Sequence, residues 1–171
     1  MPRLAEGEFA LVGKHLEKAI RSPTDPVRWG SGMTDLDFRV LCAEASAQTR
    51  DAAGLAEHVP LAEEGARRLG HRLYVGVAGR ARGVAALLAG QPAAAVEAFS
   101  QAAEVFTALG TRWQLGRTLM ARAEAHAAAG DRSAAQADGG QAAALFEAQG
   151  AVPDARRARE SLAALSDVGP S

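Results

Sequence analysis

Aromatic residues make up only 5% of this 171-residue chain, and its one cysteine, Cys42, stands alone. A single thiol excludes an intrachain disulfide framework and a cysteine-built metal site. Few rings leave the core to small aliphatic side chains, which suits helices that approach one another closely. Alternating runs of Val, Ile, Thr and aromatics are missing, so strands are not expected. No apolar run reaches the roughly 18 residues of a membrane span, and no stretch has the form of a signal peptide. Charge of one sign is lacking too: 19 basic residues against 20 acidic ones give a net charge of -1. A nucleic-acid binder would carry a basic face, and this balance argues against one. The expectation is a soluble, cytoplasmic, all-α protein that binds neither nucleic acid nor membrane.

Catalytic spacing is absent as well. His15, His58, His71 and His126 fall on different helices or their ends, with no HExxH or paired-His pattern to seat a metal. No Ser-His-acid constellation can be assigned from such scattered residues. Cys42 lies mid-helix beside Leu41 and Ala45 and reads as a small buried hydrophobe. No catalytic residue, metal or cofactor is expected.

What the chain does have is alanine and a regular beat. Gly30, Gly70, Gly110 and Gly150 follow one another at intervals of 40 residues. Asp51, Gln91 and Asp131 share a column, each opening a helix-like stretch. Ala43, Gly83, Ala123 and Ala163 form a column that is always small, and Ala62, Ala102 and Ala142 form another. Self-similarity at a fixed period of this size marks stacked helical units, each unable to cover its own apolar stripe. In one unit that stripe is Ala95, Phe99, Ala102, Phe106 and Leu109.

Read along the chain, Leu4 to Arg21 has helical spacing, and a breaker-rich linker with Pro23, Pro26, Gly30 and Gly32 follows. Thr34-Asp35 then offers a cap for a helix from Asp35 to Arg50. Asp51 caps a partner running to Leu69. The spacing predicts two further pairs, His71 to Ala89 with Pro92 to Leu109, and Thr111 to Ala129 with Arg132 to Gln149. A last helix spans Ala151 to Leu165, and Ser166 to Ser171 is expected to fray. The domain organisation is therefore 1–33 leader and linker, 34–166 repeats (34–70, 71–110, 111–150, capping helix 151–165) and 167–171 tail. Gly70, Gly110 and Gly150 fit the left-handed position just past a helix end.

The A-x3-F pattern in second helices, at Ala95 to Phe99, Ala102 to Phe106 and Ala142 to Phe146, resembles tetratricopeptide repeats. The small column Ala43, Gly83, Ala123, Ala163 is similar to that family's small residue in the first helix. HEAT and armadillo repeats share the longer period, but the plain helix pairs favour the tetratricopeptide likeness. A narrower likeness rests on Arg80-Ala81-Arg82-Gly83, Leu115-Gly116-Arg117-Thr118-Leu119 and Gly150-Ala151-Val152-Pro153-Asp154-Ala155-Arg156-Arg157-Ala158-Arg159. It resembles the C-terminal repeat arm of large ATP-binding bacterial regulators, LuxR-type and cyclase-linked. The chain carries no phosphate-binding glycine loop and no helix-turn-helix after Leu165. The resemblance thus implies a right-handed α-solenoid, a protein-contact arm without the nucleotide switch.

It also implies that first helices line a concave groove. Carried over, the groove residues are Asp37, Glu44, Arg80, Val84, Leu87, Arg117, Met120, Glu124, Arg157 and Glu160, with Val40, Ala47, Val77 and Ala127. Such a surface suits a peptide or helix, and it also suits a solvated helix face. Arg82 and Arg122, 40 residues apart, would either hold an anionic effector together or pack as stems bridged to Glu97, Glu104 or Glu124. Gly139-Gly140 inside a helix reads as a closely approached, self-associating surface or as drift with a kink. Trp113 reads as packed at a helix entrance, and Trp29 as a partner anchor or a cover for the first repeat. The function expected is a non-catalytic protein-interaction scaffold in bacterial signalling or transcription control, with a small-ligand sensor as the alternative.

Overall fold

A computed structural model describes residues 35–167 of the chain, with seven helices and no strand among them. The helices are α1 (Asp35–Thr49), α2 (Ala52–Arg68), α3 (Arg72–Leu88), α4 (Pro92–Ala108), α5 (Arg112–Ala128), α6 (Arg132–Ala148) and α7 (Val152–Asp167). The leading helix, the linker with Trp29 and Gly30, the Thr34 cap and His15 lie outside the described residues, as does the end of the tail. The fold class is all-α, with α1 packed on α2, and with α4, α5, α6 and α7 packed consecutively in the repeat-like order of an α-solenoid. The helices expected from Asp35 onward are all present, with ends displaced by a residue or so. The last helix is the exception: Ser166 and Asp167, expected to fray, continue α7.

From Ala52 onward each helix starts 20 residues after the one before, so the true beat is half the period read from the sequence. Its cause is one turn repeated at every helix end. Gly70, Gly90, Gly110, Gly130 and Gly150 all have positive φ, between 63° and 85°. At each, the glycine N–H donates to the carbonyl three residues back, and the next N–H donates to the carbonyl five back, as in Gly110 to Thr107 and Thr111 to Phe106. That closure satisfies carbonyls that a helix end leaves orphaned, and it requires a left-handed residue. Gly90 and Gly130 belong to the series although a 40-residue comparison starting at Gly30 passes over them.

One member of the column breaks the rule. Arg50 closes α1 through the same pair of bonds, to Ala47 and Ser46, but with a side chain at φ 54°. The left-handed conformation crowds Cβ against the following carbonyl, at a cost of about 1 kcal/mol. Arg50→Gly is expected to raise stability by roughly 1 kcal/mol, read as a shift of the denaturation midpoint. An unchanged or lower midpoint would mean that the strain is compensated in place.

Helix starts are less uniform. Asp51 accepts from the Ala53 N–H and Asp131 from the Ala134 N–H, as caps should. Gln91, expected in the same role, makes no side-chain cap. Pro92 takes over there, because its missing N–H is one that the first turn would leave unsatisfied.

The chain falls into two compact units, Met1–Ala85 and Ala86–Ser171. In the first, Phe38, Leu55, Val59, Ala62 and Ala66 are buried, and Leu36 lies where a Cβ on Gly65 would touch it. In the second, Leu119, Ala142, Ala143, Phe146, Ala155 and Ala158 form one buried cluster joining α5, α6 and α7, with Leu115, Met120, Leu145 and Ala151 packed against it. Phe99 and Phe106 of α4 are fully buried as well. Ala123 is buried, whereas Ala163 in the same small column is exposed on α7.

Gly139 and Gly140 do not interrupt α6, which runs through both. The two differ in what surrounds them. A Cβ on Gly139 would lie 3.3 Å from Leu162 of α7, whereas one on Gly140 would meet nothing within 4 Å. The close approach at Gly139 is therefore internal to the unit, not an outer contact for a second copy. Gly140→Ala is expected to stabilise by up to about 1 kcal/mol through helix propensity alone. Gly139→Ala should gain less, because Leu162 must give way. The reverse order in thermal melts would place the helix packing wrongly.

Candidate interaction surface

The groove residues assigned to the first unit meet one another, but as a seam. The Tyr74 hydroxyl of α3 donates to Asp37 of α1 at 2.5 Å, and the Arg80 guanidinium donates to Glu44 at 2.8 Å. Val40, Val77 and Arg80 are 3%, 7% and 3% exposed, and Ala47 is buried too. These positions cannot line an open groove. The reason is that α1 and α3 turn their carboxylates and donors toward each other, where burial makes each paired charge worth keeping. Val84 is half-buried, and Arg82 reaches Glu63 of α2 at 3.4 Å.

The Asp37 partnership raises the Tyr74 phenol from 10.0 to about 12, chiefly because the hydroxyl donates to the carboxylate and also because burial and the negative charge oppose ionisation. A phenol raised in the folded state adds stability in full below pH 10 and loses it as pH rises toward 12. Tyr74 is the chain's only tyrosine, so phenolate absorbance reports it without interference. The expected midpoint in folded protein is near pH 12, falling toward 10 in Asp37→Asn. A wild-type midpoint near 10 with helical ellipticity intact would break the assignment.

The second unit keeps its first-helix face accessible. Trp113, at the start of α5, is 41% exposed and not packed away at the helix entrance. Its ring is nonetheless fixed on two sides. The Arg117 guanidinium lies over it at 4.7 Å from the centroid, and its indole N–H donates to Asp154 of α7 at 3.3 Å. Arg117 and Met120 are half-buried, while Glu124, Arg157 and Glu160 are exposed. Glu160 is drawn back along its own helix to Arg156 at 3.8 Å. Leu87, in the last turn of α3, is half-buried.

Arg122 stands apart from that face, and every one of its nitrogens is engaged. Nε and Nη2 donate to the two Asp138 oxygens at 2.7 Å each, and Nη1 donates to Ser100 at 3.1 Å. The two-point bond to Asp138 pushes the guanidinium pKa up, against the opposing effect of burial. His126 approaches the same carboxylate at 3.8 Å. Arg82 thus reaches Glu63, and Arg122 is tied to Asp138, each a carboxylate of its own unit. Asp138 was missed in the sequence, although its column (His58, Ala98, Asp138) is buried throughout and polar at two of three places.

A cleft of about 430 Å³ opens beside Arg122, with Ser100, Ala103, Glu104, Thr107 and Ala108 of α4 on one wall. Leu115 and Leu119 of α5 supply apolar lining, and Gln141 comes from α6. Cys42 is buried, as expected for a packing thiol. No group of three His, Cys, Asp or Glu able to hold a metal occurs among the described residues. Nor is any described helix long and apolar enough to cross a membrane. Comparison with protein-family models, with curated proteins and with solved structures finds no match.

Proposed function

We propose that this chain is a non-catalytic protein-interaction scaffold, a tetratricopeptide-like arm serving bacterial signalling or transcription control. The observation that carries this reading is the exposed Trp113 ring, held between Arg117 and Asp154. Tryptophan and arginine dominate the energetics of protein contacts, and a ring already fixed in place loses little entropy on docking. Beside it, Arg117, Met120, Glu124, Arg157 and Glu160 offer the mixture of charge and apolar stem that a partner helix or extended peptide would meet. The sensor alternative is weakened by Arg122, whose charge is already balanced by the two-point bond to Asp138.

The reading is tested by placing a photo-crosslinking residue at Met120 and irradiating in the source cell. A defined protein adduct, lost when Trp113→Ala and Arg117→Ala are introduced together, is the expected result. Absence of any protein adduct, or capture indifferent to both changes, would overturn it. A large stabilisation by a small metabolite would favour the sensor instead.

A further inference from the structure

The cleft walled by α4, α5 and α6 is a different place from the Trp113 face, and its chemistry is lopsided. Leu115, Leu119 and Ala103 make part of its lining apolar. Its volume of about 430 Å³ falls within the range of small-ligand and side-chain pockets. The only lining residues with formal charge are Arg122 and Glu104. The Arg122 charge is cancelled by the Asp138 carboxylate bound to it at two points. Glu104 is exposed on the wall and forms no ion pair among the described residues, so the cleft as a whole is an apolar slot with an anionic lip. Thr107 and Gln141 add hydrogen-bonding groups at the rim.

We infer that this cleft receives a basic side chain, lysine or arginine, from a partner polypeptide. The aliphatic stem of such a side chain covers Leu115 and Leu119 while its charged head stays at the mouth, opposite Glu104. An anion would meet Glu104 at the mouth, and the two N–H groups left on Arg122 belong to a charge already balanced by Asp138. A purely apolar group would leave the Glu104 charge facing a dry neighbour. The polypeptide source follows from the shape: the cleft is open along exposed helix faces, so a free amine would remain largely in water. A peptide adds backbone groups that Thr107 and Gln141 can bond. The inference rests on the scaffold reading only in that the occupant is a protein segment.

The test uses the full chain, isotope-labelled on leucine methyls, and a blocked peptide Ala-Leu-Lys-Leu-Ala. Binding at about 0.1–1 mM, with shifts centred on the Leu115 and Leu119 methyls, is expected. Replacing the lysine by norleucine, or Glu104→Gln, should each weaken binding about fivefold, and the two together no further. Ala108→Phe, at an exposed position on the cleft wall, should block binding with the melting temperature unchanged. Shifts elsewhere, equal affinity for the norleucine peptide, or tighter binding of free 1,5-diaminopentane than of the peptide would each overturn the inference. Failure here with the Met120 adduct retained removes this site alone and leaves the scaffold reading standing.

Discussion

Phe146→Ala is expected to cost about 3–5 kcal/mol, more than any other single truncation in the second unit. The ring is fully buried and sits at the centre of the cluster formed by Leu119, Ala142, Ala143, Ala155 and Ala158. Its other side faces the backbone of α5, so closely that a Cβ on Gly116 would lie 2.9 Å from two of its ring carbons. Its buried neighbours in the cluster are four alanines and Leu119, and alanines cannot swing in to fill the space. The site should therefore collapse poorly, and the cost should fall at the upper end of the range. Gly116→Ala tests the same contact from the opposite direction, since its methyl group would displace the ring. Urea denaturation monitored by ellipticity measures both. A loss below about 1 kcal/mol for Phe146→Ala would show that the ring can be spared, and that α5 and α6 are held together by something else.

Such contacts were partly legible in advance. The A-x3-F pattern placed Phe99, Phe106 and Phe146 inside, because a helix buries residues at fixed spacing whatever it packs against. The turn at each glycine was legible for the same reason: its chemistry is local. The half-period is hidden in a 40-residue comparison because first and second helices differ in sequence, although the turn needs its left-handed residue at every helix end, as Gly90 and Gly130 show. What could not be read was the pairing of charges. Which carboxylate an arginine finds depends on how each helix is rotated and how far its neighbour is displaced, and neither leaves a trace in spacing. Arg122 thus reaches Asp138 on the following helix, while Glu104 is left facing the cleft. The groove failed in the first unit on the same ground. Asp37 and Glu44 have the composition of a binding face, yet α3 brings Tyr74 and Arg80 to meet them.

The Arg122–Asp138 pair should show how much such an unread contact contributes. Asp138→Ala is expected to destabilise by about 2–4 kcal/mol, although alanine favours the helix more than aspartate does. The Asp138 side chain is 8% exposed and binds both Nε and Nη2, so its removal strands a guanidinium whose remaining protein partner is the Ser100 hydroxyl. The value lies below that for a fully buried pair because the Arg122 side chain is 22% exposed and can recover some water. Asp138→Asn should cost less, about 1–2 kcal/mol, since the amide keeps one acceptor while losing the charge. Replacing both partners together, Arg122→Met with Asp138→Leu, should restore much of the loss, because no stranded charge remains. A double-mutant cycle built on Arg122→Met and Asp138→Ala should therefore give a coupling of at least about 1 kcal/mol. A coupling near zero would mean that Arg122 rehydrates freely, and that α5 and α6 are aligned by their alanines and Phe146 alone.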